Sequence, residues 1–262
     1  DGRGRYDTDI EGEERNAGSS PTVGAGLRAL RDSFLEPFGE MLDGIEQALQ
    51  AGQYTLFPVF EDIAAGLASV DGRRQIVLLS NNYLGLATDA RVVAAAQQAL
   101  ARFGGSRCAS PLVGGQTSVH RDLERKLAMF LEQDDAALFA SGYQANLGVL
   151  TGLMRRGDLV VSDVSNHASI VDGARLAGAE LRFFRHNRPG HLDNVLRNSP
   201  SLQRKIVIVE GVYSVDGDIA NLPELCAVAH RHGVPIVVDE AHALGVLGER
   251  GGGASEHFEQ LD

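Results

Sequence analysis

The chain has 262 residues, 44% of them hydrophobic and 23% charged, and no run approaches the roughly 18 apolar residues of a membrane span, so a soluble globular protein is expected. Its 24 Lys and Arg against 35 Asp and Glu leave a formal charge of −11, and Lys126 and Lys205 are its only lysines, which argues against binding the phosphate backbone of nucleic acids. Two distant cysteines, Cys108 and Cys226, form no CxxC or Cys/His spacing, so neither a disulfide scaffold nor a zinc site is expected and a reducing cytoplasm fits best.

In chain order, residues 1–26 are dense in glycine, serine and charge with almost no apolar periodicity, and read as a flexible linker or tail. Residues 27–58 read as an N-terminal helical arm, in which apolar spacings near three and four are interrupted by Pro37 and Gly39. From residue 59 onward the pattern alternates. "RRQIVLLS" reads as a strand and "SNNYLGL" as a polar turn, and "TDARVVAAAQQALARFG" reads as a helix capped by Thr88 and ended by Gly104. Helix "SVHRDLERKLAMFLE" precedes strand "AALFA", and helix "YQANLGVLTGLM" precedes strand "LVVSD". Helix "SIVDGARLAG", strand "LRFFRH", helix "LDNVLRN", strand "KIVIVEG", helix "LPELCAVAHRHG" and strand "PIVVDEA" complete the series. Short strands alternating with helices predict an α/β fold with a mostly parallel sheet flanked by helices, and ligands at the carboxyl ends of its strands.

Four stretches at those strand ends carry polar side chains. In "FASGYQANLG", Ser141, Gly142 and Tyr143 open a helix; their backbone amides suit an anion such as phosphate, although Ser141 as a simple cap explains the stretch equally well. In "DVSNHASIVDG", His167 stands at a helix entry, where it can stack on a planar ring, move a proton, or belong to a cap formed with Asn166 or Ser165. "EGVYSVDGD" collects Glu210, Tyr213, Ser214 and Asp216 behind a strand, a hydrogen-bonding set that also reads as turn chemistry. In "VVDEAHALGVLG", Asp239 ends an apolar strand, so its carboxylate needs a cation or several donors, and His242 three residues on faces the same end. A third ligand for a metal is missing. A phosphate cradle, an imidazole, a hydroxyl and a desolvated carboxylate at successive strand ends together describe a site for pyridoxal 5′-phosphate, whose ring nitrogen a carboxylate keeps protonated.

The motifs "SNNYLGL", "SGYQANLG", "NHASIVDGARLAGA", "RHN", "EGVYSVDGDIANL" and "VDEAHALGVLGERGGG", in that order, resemble the α-oxoamine synthases, a family of fold-type I pyridoxal-phosphate transferases. The resemblance implies that residues 59–262 are the cofactor-binding large domain. It also implies that the backbone at Ser141, Gly142 and Tyr143 binds the cofactor phosphate and that His167 stacks on the ring. Asp239 would pair with the ring nitrogen, Ser214 and His242 would bond the ring oxygen, and Asn81 would lie near the amino-acid substrate. His120, in "TSVHRDLE", matches a family position without an assigned role. The implied reaction is a decarboxylative condensation of an amino acid with an acyl thioester, carried by coenzyme A or a carrier protein, to an α-amino ketone in a homodimer. The family's Schiff-base lysine has no counterpart here, and the chain is expected to stop short of it. A lysine-free subunit of a heterodimeric synthase, or another fold-type I enzyme such as an aminotransferase, are the competing readings.

Overall fold

The computed structural model describes residues 34–51, 53, 59–64, 66–70 and 72–260; the expected tail, residues 1–26, and parts of the expected arm lie outside the described residues. The chain divides into two units, residues 1–61 with 69–73, and residues 62–68 with 74–262. In the first, a 3-10 turn over Glu36–Phe38 carries Pro37, and helix α1 (Gly39–Gln50) begins directly after it, at the interruption that Pro37 and Gly39 predict. Three short strands, β1 (Asp62–Ala64), β2 (Leu67–Val70) and β3 (Arg73–Ile76), form a sheet in that order.

The second unit is built by helices α2 (Ala90–Phe103), α3 (Ser118–Phe130), α4 (Gly142–Leu153), α5 (Ala168–Leu176), α6 (Pro189–Arg197), α7 (Leu222–Arg231) and α8 (Ala254–His257). Its sheet comprises β4 (Leu159–Asp163), β5 (Glu180–Phe184), β6 (Lys205–Glu210) and β7 (Ile236–Asp239), in the order β5-β4-β6-β7 with every pair parallel. This is the α/β architecture the alternation predicts.

Successive strand residues point to opposite faces, and each face is covered by its own helices. Leu159, Val161, Val207 and Val209 face Leu192 and Leu196 of α6 and Leu225 and Val228 of α7. Val160, Ile206 and Ile208 face Leu150 of α4 and Ile170 and Ala174 of α5. Because both faces of β4 and β6 are dry, these two strands read in sequence as apolar runs rather than alternating ones. Each fully buried aliphatic side chain here stabilises the fold by roughly 1.5–3 kcal/mol relative to exposure.

Three local expectations differ from the structure. "AALFA", residues 136–140, forms no strand: it has no ladder partner among the described residues, and Phe139 instead lies against Gly148 of α4. The cap of α2 is Asp89, whose carboxylate accepts from the Arg91 amide at 2.8 Å, while Thr88 ends a 3-10 turn. "RRQIVLLS" is a strand only over its first half, as β3. Gly104 does end α2, at φ 75°.

Candidate functional site

Helix α4 starts at Gly142 with Ser141 as its cap, the Ser141 hydroxyl accepting from the Gln144 amide at 3.2 Å. The amides of Gly142 and Tyr143 find no acceptor among the described residues, and a Cβ built on Gly142 would meet nothing within 4 Å. Two N–H groups without an acceptor therefore stand at the positive end of a helix dipole, with room beside Gly142, a setting that suits an anion. The Tyr143 hydroxyl bonds the carboxylate of Asp172, which pushes its pKa up, and its ring meets that of His167 edge-on, centroids 6.1 Å apart.

One turn into the same helix, the Asn146 side-chain amide donates to Asp239 Oδ2 at 2.8 Å and to Ser169 Oγ at 2.9 Å. Ser169 Oγ lies 2.7 Å from His167 Nδ1, and the Ser169 amide donates to the same nitrogen at 3.2 Å. His167 is thus itself the cap of α5, one of the roles its sequence setting left open, and its partner is Ser169 rather than Asn166 or Ser165. Its ring remains exposed. Asp239 is half-buried at the end of β7, with its other oxygen accepting from the Ala241 amide at 3.0 Å.

Glu210 ends β6 directly opposite Asp239 in the register. Its carboxylate is buried and accepts from the His167 amide on one oxygen and the Ser214 amide, at 3.0 Å, on the other. Burial raises its pKa, and the nearby Asp239 charge adds to the rise, while the two amides oppose it. Two loops that carry polar side chains are thereby tied to one strand end.

A second polar group surrounds Asp163 at the end of β4. This fully buried carboxylate takes four donors: the Ser165 amide at 2.9 Å, the Asn187 amide at 2.7 Å, His186 Nδ1 at 3.0 Å and the Tyr213 hydroxyl at 2.9 Å. Burial and the Asp163 charge push the Tyr213 phenol far up, so it stays a donor. His186 also meets Asp218 through Nε2 at 3.1 Å; burial works against its imidazolium, but Asp163 and Asp218 outweigh burial and its pKa rises. His186, Asp216 and Asp218 have ligand atoms within 4.8 Å of one another, yet both ring nitrogens of His186 are already engaged by carboxylates.

The strand ends thus bring together Asp239, His167 and the backbone of Ser214, linked through Asn146, Ser169 and Glu210. Ser141, Gly142 and Tyr143 open the helix that carries Asn146. Ser214 is exposed, and its hydroxyl has no partner among the described residues. His242 does not bond Asp239; its Nδ1 lies 2.6 Å from the Tyr83 hydroxyl, which also donates to Asn81 Oδ1 at 3.3 Å, so Tyr83 joins two residues that the sequence had treated separately. His120 completes a capping box with Thr117 at the start of α3. Lys205 sits at the amino end of β6 with its ammonium on the Pro200 and Gln203 carbonyls, away from the carboxyl ends of the strands, and Lys126 is exposed on α3. Asn146, Ser169 and Tyr83 were missed as site residues. The available signal was spacing: Asn146 lies one helical turn beyond Gly142, and Ser169 two residues beyond His167.

Free amides beside open space, an exposed imidazole and a half-buried carboxylate with unused acceptor capacity form a donor and acceptor set that fits a flat, phosphorylated, protonatable ring. The profile of the family described as aminotransferase class I and II matches residues 73–259. A protein of Bacillus subtilis subsp. natto named putative 8-amino-7-oxononanoate synthase is 42% identical over 82% of this chain and 58% of its own length. The solved serine palmitoyltransferase of Sphingomonas wittichii superposes with a TM-score of 0.84 at 38% identity, over 87% of this chain and 57% of that one. A high-resolution structure described as SPT with PLP superposes with a TM-score of 0.82 at 37% identity, over 86% of this chain and 57% of that one. The chain therefore spans a little over half the length of these relatives.

Proposed function

The chain belongs to the aminotransferase class I and II family, and from that membership we propose that its strand ends bind pyridoxal 5′-phosphate in an α-oxoamine synthase, which condenses an amino acid with an acyl thioester and releases carbon dioxide. The observation that carries this reading is that one helix, α4, offers two free amides at its start and, a turn later, holds the Asp239 carboxylate through Asn146. Names of relatives as 8-amino-7-oxononanoate synthase and serine palmitoyltransferase support the reaction class.

In this reading the Gly142 and Tyr143 amides hold the phosphate, where the helix dipole favours negative charge. His167 lies against the ring, its position fixed by the backbone cap and by Ser169. Asp239 faces the ring nitrogen, and a carboxylate there favours a protonated nitrogen because each charge stabilises the other. When bound, the cofactor supplies an electron sink for negative charge developing on the amino-acid carbon. Ser214 and His242 bond the ring oxygen, Ser214 with its free hydroxyl and His242 with the ring nitrogen not engaged by Tyr83. Asn81, tied to the same tyrosine, stands on the substrate side. The amino acid, the thioester and a second copy of the chain are the partners of this reading.

The test is to incubate the full-length protein with pyridoxal 5′-phosphate, follow its absorbance, and then assay amino acid with acyl thioester for thioester cleavage and carbon dioxide release. Cofactor uptake with both products supports the reading. Because the family description is of aminotransferases, amino-group transfer without thioester consumption is the result that would replace it, and failure to take up the cofactor would remove it.

A further inference from the structure

The polar contacts among Asp239, Asn146, Ser169 and His167 have a definite direction. An ionised carboxylate only accepts hydrogen bonds, so the Asn146 atom 2.8 Å from Asp239 Oδ2 is the NH2 group. The second hydrogen of that group goes to Ser169 Oγ at 2.9 Å, which therefore accepts. A backbone N–H only donates, so His167 Nδ1, 3.2 Å from the Ser169 amide, is an acceptor and carries no proton. The Ser169 hydroxyl, 2.7 Å from the same nitrogen, turns its hydrogen toward it. Donors run outward from Asn146 in both directions: to Asp239 on β7, and through Ser169 to His167 at the start of α5.

We infer that Asn146 is a positioning residue that sets the Asp239 carboxylate and the His167 imidazole as one unit, with the His167 proton on Nε2; this rests on reading the strand ends as a pyridoxal-phosphate site. The arrangement explains why an amide occupies this place. Asparagine alone among side chains of its size offers two hydrogens from one nitrogen. An aspartate in its place would set a second carboxylate against Asp239, and a leucine would fill the volume and leave both neighbours free to turn. Ser169 is fully buried, so the strap is shielded from water that would otherwise compete for its donors.

Two measurements on the full-length protein test the assignment. The first needs no ligand: nitrogen NMR of the histidine rings is expected to show neutral His167 protonated on Nε2, and a proton on Nδ1 would overturn the donor order. The second is a mutant cycle read by pyridoxal 5′-phosphate affinity in wild type, Asn146→Leu, Asp239→Ala and the double variant, with circular dichroism confirming the fold and Asn146→Ala running the same cycle if the leucine variant does not fold. Losing donors to a charged group is expected to weaken binding about tenfold in the wild-type background and much less once Asp239 is gone. An equal loss in both backgrounds overturns the positioning role while leaving the cofactor site standing. A wild type that takes up no pyridoxal phosphate overturns the site reading, and with it the role of the strap, whatever the ring spectrum shows.

Discussion

Glu210 and Asp239 stand side by side in the register, but their oxygens are committed differently. Glu210 accepts one backbone amide on each oxygen and ties down the His167 and Ser214 loops. Asp239 accepts one side-chain amide and one backbone amide while remaining half-buried, which leaves it lone pairs for a ligand. In the proposed reading Asp239→Asn keeps the shape and removes the charge that favours a protonated ring nitrogen. Turnover of amino acid with acyl thioester should then fall by on the order of a hundredfold, since a hydrogen bond to a charged group contributes roughly 1.5–3 kcal/mol and each ~1.4 kcal/mol is a factor of ten. Cofactor occupancy should fall less, because the Gly142 and Tyr143 amides are untouched; near-normal turnover would remove Asp239 from the role. At this scale the sequence placed Asp239 and His167 at strand ends through their position behind apolar runs, and there the structure has them. The sequence could not show that His242 turns to Tyr83, because a pairing across 159 positions leaves no local pattern.

Helices α4 and α5 meet through glycine. A Cβ on Gly173 of α5 would lie 2.8 Å from Leu150 Cδ1 and 3.1 Å from the Asn146 carbonyl, both on α4. Gly173→Ala therefore forces the Leu150 side chain, or α4 itself at the turn that carries Asn146, to give way. It is expected to destabilise the fold by about 1–3 kcal/mol, read as a lower denaturation midpoint. Cofactor affinity should fall with it, since the same turn bears the strap to Asp239. An unchanged midpoint would show that the helices can separate freely. The core strands were legible because burial on both faces makes an apolar run with helices on either side. "AALFA" had the same composition and failed as a strand, because a strand exists only through its hydrogen-bonded neighbour and composition does not supply one. The cap of α2 was missed by one residue for a related reason: Thr88 and Asp89 are both good caps, and only the backbone shows that Asp89 is extended, at ψ 127°, while the residues before it turn.

Across the whole sheet, the cluster at Asp163 joins the end of β4 to the segments after β5 and β6, and its charge balance predicts how stability depends on pH. His186 has a raised pKa because the carboxylates of Asp163 and Asp218 outweigh its burial. Its contribution to stability is fully present below the ordinary histidine pKa near 6.5 and is lost as pH rises through the raised folded value. Denaturation midpoints should therefore decline from about pH 6.5 upward, and His186→Asn should flatten that decline; an identical slope in the variant would show that the imidazolium adds nothing. The larger claim is that successive strand ends of one parallel sheet converge on a single cofactor. The most direct measurement is a structure of the full-length protein with pyridoxal 5′-phosphate. The account predicts the phosphate on the Gly142 and Tyr143 amides and the ring nitrogen against Asp239; a cofactor seated elsewhere, or with its nitrogen turned away from Asp239, would contradict it.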